Sequence, residues 1–190
     1  MMLGWLIPLL LGFSIDAASA FTTTYSRWWG QRAGQRVTAV LRNVIGIPLW
    51  VIGLVLAVRS PSPALVAPHV LLQLLGWLLL ALGSTLQILA VAALRRKAAA
   101  PSLADDLVRR GPYGHLRHPI YAGALLQFPA TVLLQPRLAV LVACGLGIGW
   151  AVVQAKFEEV DLLQRLPSYR DYMTQVPRFW PRLNLDSARR

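Results

Sequence analysis

Apolar residues in this chain gather into long blocks separated by short polar, arginine-rich or proline-rich breaks, rather than into the stripes of an amphipathic helix. The blocks cover residues 2–21 (interrupted by Asp16), 40–58, 68–94, 120–134 and 138–154. Several exceed the ~18 residues that a helix needs to cross hydrocarbon. The pattern predicts an all-α, polytopic membrane protein with about five transmembrane helices. Residues 120–134 and 138–154 are short, are split by Gln135-Pro136-Arg137, and read as a tight C-terminal helical hairpin whose first arm is kinked at Pro129. Arg59-Ser60-Pro61-Ser62-Pro63 reads as a turn that its prolines keep from being helix. Residues 22–39 set Arg27, Arg32 and Arg36 among Tyr25, Trp28 and Trp29, and read as an interfacial connector. From Ala155 the chain becomes a charged, amphipathic tail.

Polar residues inside the blocks need partners. Asp16 belongs either at the outer headgroups or in a pair within the bundle, because a lone carboxylate in hydrocarbon is costly. Ala17-Ala18-Ser19-Ala20 after it has the small-residue pattern of a signal-peptidase site. No lysine or arginine precedes the block, so a retained first helix is favoured over cleavage. Arg42 lies near enough to the end of its span to snorkel. Gln73, Ser84, Thr85 and Gln87 are expected to hydrogen-bond to neighbouring helices. Gly76, Gly83 and Ala90 fall seven apart and open one face of that span to close approach, while His69 at its head reads as structural.

Composition agrees with the pattern: 56% of residues are hydrophobic and 14% charged, against roughly 25% charged in a soluble domain. The net charge of +11 comes from cations that flank apolar blocks, which favours bilayer orientation and anionic lipid over nucleic acid. Arg27, Arg32, Arg36, Arg95, Arg96, Lys97, Arg109, Arg110, Arg117, Lys156, Arg165, Arg170, Arg178, Arg182, Arg189 and Arg190 fall on one side, and only Arg59 and Arg137 on the other. That asymmetry predicts the 95–118 loop and the tail in the cytoplasm and the N-terminus outside. The single cysteine, Cys144, excludes an intrachain disulfide and a cysteine metal cluster. No third ligand accompanies His115 and His118, so no metal site is expected.

The chemistry concentrates in Arg109-Arg110-Gly111-Pro112-Tyr113-Gly114-His115-Leu116-Arg117-His118-Pro119-Ile120-Tyr121-Ala122-Gly123. The residue before a proline is pushed out of the α region, so residues 111–118 read as a pinned loop with Pro119 in the first turn of the next helix. Arg117 and His118 precede that helix start, where free backbone N–H groups are candidates to bind an anion. Glu158-Glu159 follows the last span and can meet the loop if the hairpin closes. An anion site, an acidic acceptor and aromatic faces beside lipid suit a zwitterionic, aromatic cofactor and a lipid-embedded substrate. Taken singly, each of these residues has an ordinary structural reading.

Together with Phe157-Glu158-Glu159, Tyr169-Arg170-Asp171-Tyr172 and Val176-Pro177-Arg178-Phe179, this motif resembles the isoprenylcysteine carboxyl methyltransferase family, which is similar to the wider group of membrane phospholipid N-methyltransferases. The resemblance covers roughly residues 75–182. It implies a single membrane methyltransferase domain over 1–190, in which residues 1–94 form three N-terminal spans and 95–190 build the cofactor site. It implies S-adenosylmethionine held by Asp105, Asp106, Leu107, Val108, Tyr113, His118, Pro119, Ile120, Tyr121 and Glu158. A lipophilic small molecule or lipid would enter sideways between helices. Carboxyl-methylating relatives carry an arginine about one turn before the position of Glu158; here Gln154 stands there, with Lys156 as the nearby cation, so these two are the candidate substrate contacts. Arg117 is the remaining candidate to meet an acceptor carboxylate, and His115 the candidate base for an amine or thiol. The alternatives are a phospholipid-type N-methyltransferase and a non-catalytic channel or assembly protein that keeps the fold.

Overall fold

The structure is a computed structural model that describes residues 3–181. Arg182, Arg189 and Arg190 of the charge asymmetry, and Met2 of the first apolar block, lie outside the described residues. The described chain is helical throughout, and an isolated bridge between Ala64 and Arg137 is its only β pairing. Helix α1 (Leu6–Ala18) and α2 (Thr22–Trp29) meet at 65°. Helix α3 (Gln31–Ala39) runs through a π-helical turn (Val40–Gly46) into α4 (Ile47–Arg59). Then come α5 (Val70–Leu94), the single turn α6 (Arg96–Ala99), a 3₁₀ turn (Gly111–Gly114), α7 (Pro119–Leu134), α8 (Leu138–Arg165) and α9 (Tyr169–Gln175).

Three helical stretches are long and apolar enough to cross a membrane: Gln31–Arg59, Val70–Leu94 and Leu138–Arg165. The bent α1–α2 pair makes a fourth if it counts as one span, and α7 is a shorter apolar helix of 16 residues. The five apolar blocks are thus five helical segments, of which three meet the length of a crossing unaided. Large side chains such as Leu71, Trp77 and Ile88 on α5 stay exposed, as lipid-facing surface does. The chain is an all-α membrane protein.

Two expectations are corrected. The second span begins at Gln31 rather than near residue 40, and the interfacial stretch before it is helix too, because only Gly30, at φ 85°, interrupts a run without proline. The last span does not stop at Gln154: α8 continues to Arg165, since nothing between them breaks a helix, and Glu158-Glu159 sits on its final turns.

Small residues set the packing. Gly76, Gly83 and Ala90 are the buried residues of α5, and they face α7. A Cβ on Gly83 would lie 2.6 Å from the Gly123 carbonyl, so the backbones touch there. Gln127 Nε2 donates to Ser84 Oγ at 3.0 Å, and Gln87 Nε2 to the Ile120 carbonyl at 3.2 Å, which answers the interhelical bonds expected of Ser84 and Gln87. Helices α1, α4 and α8 close around Trp5, Leu9, Phe13, Ala57, Ala139 and Ala143, with Phe13 stacked on Trp150 at 4.9 Å. At one end, Leu65 N–H donates to the Pro136 carbonyl at 2.8 Å and Leu138 N–H to Pro63 at 3.0 Å, joining the turns that carry Arg59 and Arg137. His69 is structural: its Nδ1 caps α5 by accepting from Leu71 N–H at 3.3 Å.

Candidate active site

Pro112 opens the 3₁₀ turn and Pro119 stands at the start of α7, so the loop between them has little freedom. The tail locks it. Arg117 N–H donates to the Pro177 carbonyl at 2.9 Å and His118 N–H to Arg178 at 3.1 Å. The N–H groups of Arg117 and His118, just ahead of the helix start, are thus spent on the tail and not open to an anion. Tyr172 Oη donates to the Tyr113 carbonyl at 2.6 Å, and Arg109 lies 5.4 Å over the Tyr172 ring. Burial pushes the Tyr172 hydroxyl up to about 12, against the pull of Arg117 and Arg109.

The adjacent glutamates take different work because they point to different sides of α8. Glu159, buried, binds Arg117 Nε at 3.0 Å, His118 Nε2 at 3.2 Å and Arg178 Nη2 at 2.6 Å. Arg117 also donates to the Met173 and Val176 carbonyls, so its guanidinium knits loop to tail. Glu158 faces inward: Tyr121 Oη donates to it at 2.6 Å, Arg42 Nη2 at 2.5 Å, and His118 Nδ1 is 3.7 Å away. Arg42 Nε lies 3.8 Å from Asp16, whose carboxylate also accepts from Ser19 Oγ at 3.3 Å. Asp16 is thus paired inside the bundle. Arg42 does not snorkel outward as expected, because the π-helical turn that carries it faces two carboxylates.

Asp16, Arg42, Arg117, His118, Tyr121 and Glu158 line a cavity of about 680 Å³ that also has walls from α4, α5, α7 and α8. Of the predicted residues, Asp105, Asp106, Leu107, Val108, Tyr113, Arg117, His118, Ile120, Tyr121 and Glu158 line it. Pro119 is buried at the helix start behind them. Gln154 does not line it: the side chain is buried against α1, with Nε2 donating to the Asp16 carbonyl at 3.1 Å. Lys156 is exposed, since two residues along a helix from Glu158 is nearly the opposite face. His115 is exposed at the end of the 3₁₀ turn and is outside the lining.

Sequence reasoning missed Asp16, Arg42 and Trp50 as wall residues. One signal was present: opposite charges in two separate apolar blocks need each other, and ionisable groups at such depth mark sites. The lining fits a polar, aromatic ligand. Among the described residues Trp150 Nε1 and Tyr169 Oη are buried there without a hydrogen-bond partner, Glu158 keeps Oε2 as an acceptor, and Tyr113 and Tyr121 add aromatic rings to the lining. The volume falls within the ~300–1,000 Å³ of small-molecule sites.

An apolar helical bundle whose cavity gathers paired charges and aromatic rings is a membrane protein with a candidate small-molecule site. A family model described as phospholipid methyltransferase matches residues 71–169, more than half the chain, and the chain belongs to that family, which is related to the isoprenylcysteine carboxyl methyltransferases. It is a membrane methyltransferase of the phospholipid and isoprenylcysteine type. No curated protein and no solved structure matches it.

Proposed function

We propose that the chain methylates a lipophilic small molecule or lipid with S-adenosylmethionine, in the cavity between the 101–121 segment and α8, on the cytoplasmic face. The observation that carries this is the continuity of one cavity. The same cavity is lined by the polar Asp105, His118 and Glu158 and by the apolar Leu54, Leu80, Phe128 and Trp150. A water-soluble donor and an apolar acceptor can share it only if it is polar at one end and greasy at the other. S-adenosylmethionine supplies an electrophilic sulfonium methyl group when bound. Glu158, Tyr121 and Tyr113 would hold its polar and aromatic parts, and the Asp105–Val108 segment would close over them. The chain's own contribution is orientation and exclusion of water, and proximity alone can remove several kcal/mol, up to roughly 7–11, from a bimolecular barrier.

An amine acceptor is favoured over a carboxylate by the charges of the lining. Asp16, Asp105, Asp106, Glu158 and Asp161 face Arg42, Lys97, Arg117 and Arg165, five anions against four cations. Arg42 and Arg117 are already paired. The position that carries arginine in carboxyl-methylating relatives is the buried Gln154. With His115 exposed, the lining supports no role for it as a base.

Calorimetry on detergent-purified protein tests the reading. His118→Ala and Glu158→Ala should each weaken S-adenosylmethionine binding by about tenfold or more, the weight of one charged hydrogen bond, while Arg137→Ala at the other end of α8 leaves it unchanged. Absence of binding to the native protein would end the proposal. Label from methyl-tritiated donor should then enter a lipid extract as base-stable N-methyl product, not as base-labile ester.

A further inference from the structure

The main cavity shares a wall with a second one of different character. Arg95, Arg96, Lys97, Arg109 and Arg110 line the second cavity, and Asp105 is its only carboxylate. Asp105 is already engaged, accepting from Ser102 N–H at 2.8 Å and lying 3.9 Å from Arg165. Lys97 donates to the Asp106 carbonyl and Arg110 to the Ala93 carbonyl, neutral acceptors, so neither forms an ion pair among the described residues. Arg95 and Arg96 make no ion pair among the described residues. Like charges gathered around one hollow repel, so the arrangement is stabilised by an anion.

The backbone gives a second, independent sign. Arg95 has φ 56° and ψ −130°, and it is the only non-glycine residue with positive φ among those described. Strain of this kind persists where the surroundings fix it, and it collects at functional sites. Here it stops α5 abruptly and puts three consecutive cations at the end of an apolar helix.

Depth selects the kind of anion. Ile88, Leu89 and Val91 on α5 still present exposed apolar surface, and the cations begin directly after Leu94. The cavity therefore sits where a spanning helix leaves hydrocarbon, at the level of lipid phosphates. Leu94, Leu107 and Val108 give it an apolar side against which a glycerol backbone can lie.

We propose that this basic cavity binds the phosphate of an anionic lipid headgroup, at a site separate from the methyl-acceptor position. The inference stands on the charge arrangement and not on methyl transfer. Leu94, Lys97, Asp105, Leu107 and Val108 also line the main cavity, so a lipid held here steadies the segment that closes it.

Native mass spectrometry of the detergent-purified full chain, titrated with phosphatidylglycerol and phosphatidylcholine of identical acyl chains, tests it. Phosphatidylglycerol should be retained preferentially, the preference should fall with ionic strength, and Arg95→Gln/Arg96→Gln should weaken it roughly tenfold or more. Arg59→Gln/Arg137→Gln, on the opposite face, should leave it intact. Equal retention of the two lipids by the native protein, or no dependence on salt, overturns the proposal without recourse to a variant. So does a folded Arg95→Gln/Arg96→Gln protein that binds as the native one does. Displacement by equimolar glycerol phosphate would show a soluble anion to be the ligand and overturn the lipid assignment.

Discussion

Glu159 and Glu158 are neighbours in sequence with opposite duties. Glu159 is enclosed by Arg117, His118 and Arg178 and ties the loop to the tail. Removing one partner of a buried ionic cluster strands the others, at a cost of about 3–5 kcal/mol. Glu159→Gln should therefore lower the thermal unfolding temperature sharply in detergent, whereas Glu158→Gln, in a more open site, should cost less stability and more donor affinity. A Glu159→Gln protein as stable as the native one would show that the cluster does not hold the tail. Tyr172 gives a pH test. Its hydroxyl, ordinarily near 10, is pushed up to about 12, and burial drives Tyr113 and Tyr169 in the same direction. The folded state binds these protons more tightly than the unfolded one, so their stabilisation is complete below pH 10 and is lost as pH rises toward 12. Unfolding followed by near-ultraviolet spectroscopy should show that loss, reduced in Tyr172→Phe.

Among the elements, the α5–α7 contact decides whether the cavity has a wall. Gly83 and Gly123 meet backbone to backbone, and a side chain there must push the helices apart. Gly83→Leu should destabilise by about 1–3 kcal/mol through overpacking, read as a lower unfolding temperature. Gly145, with open space around its Cβ position, is the matched site where leucine should be tolerated. The seven-residue spacing of Gly76, Gly83 and Ala90 announced this seam in the sequence, since small residues on one helix face have little other purpose in a bilayer. The arginines and tryptophans of 22–39 fix depth at an interface, but they do not say whether the backbone coils, so the helices there are visible only in the structure.

For the molecule as a whole, the charge asymmetry implies that α5 separates two aqueous faces. Its 25 residues span about 37 Å as a helix, enough to cross hydrocarbon. Cys144 is buried, so after Cys144→Ala a single introduced thiol is a clean reporter. Ser62→Cys and Ser102→Cys, on either side of α5, should react with an impermeant maleimide from opposite sides of sealed vesicles. Labelling from one side would refute the topology.

The sequence by itself determined that the chain is a helical membrane protein, that residues 105–121 and Glu158 are candidates for one common site, and that polar residues in α5 must find partners. Each follows from local rules: block length, proline and glycine placement, and the cost of a bare polar group in lipid. Only the tertiary structure decided how Asp16 and Arg42, from helices outside the matched 71–169 stretch, complete the wall around Glu158. It also decided that the N–H groups of Arg117 and His118, ahead of α7, serve the tail, and that Gln154, Lys156 and His115 stay out of the cavity. Those outcomes depend on which helix faces meet across more than a hundred residues of chain, as with Arg42 and Glu158, and side-chain type alone does not encode a facing direction.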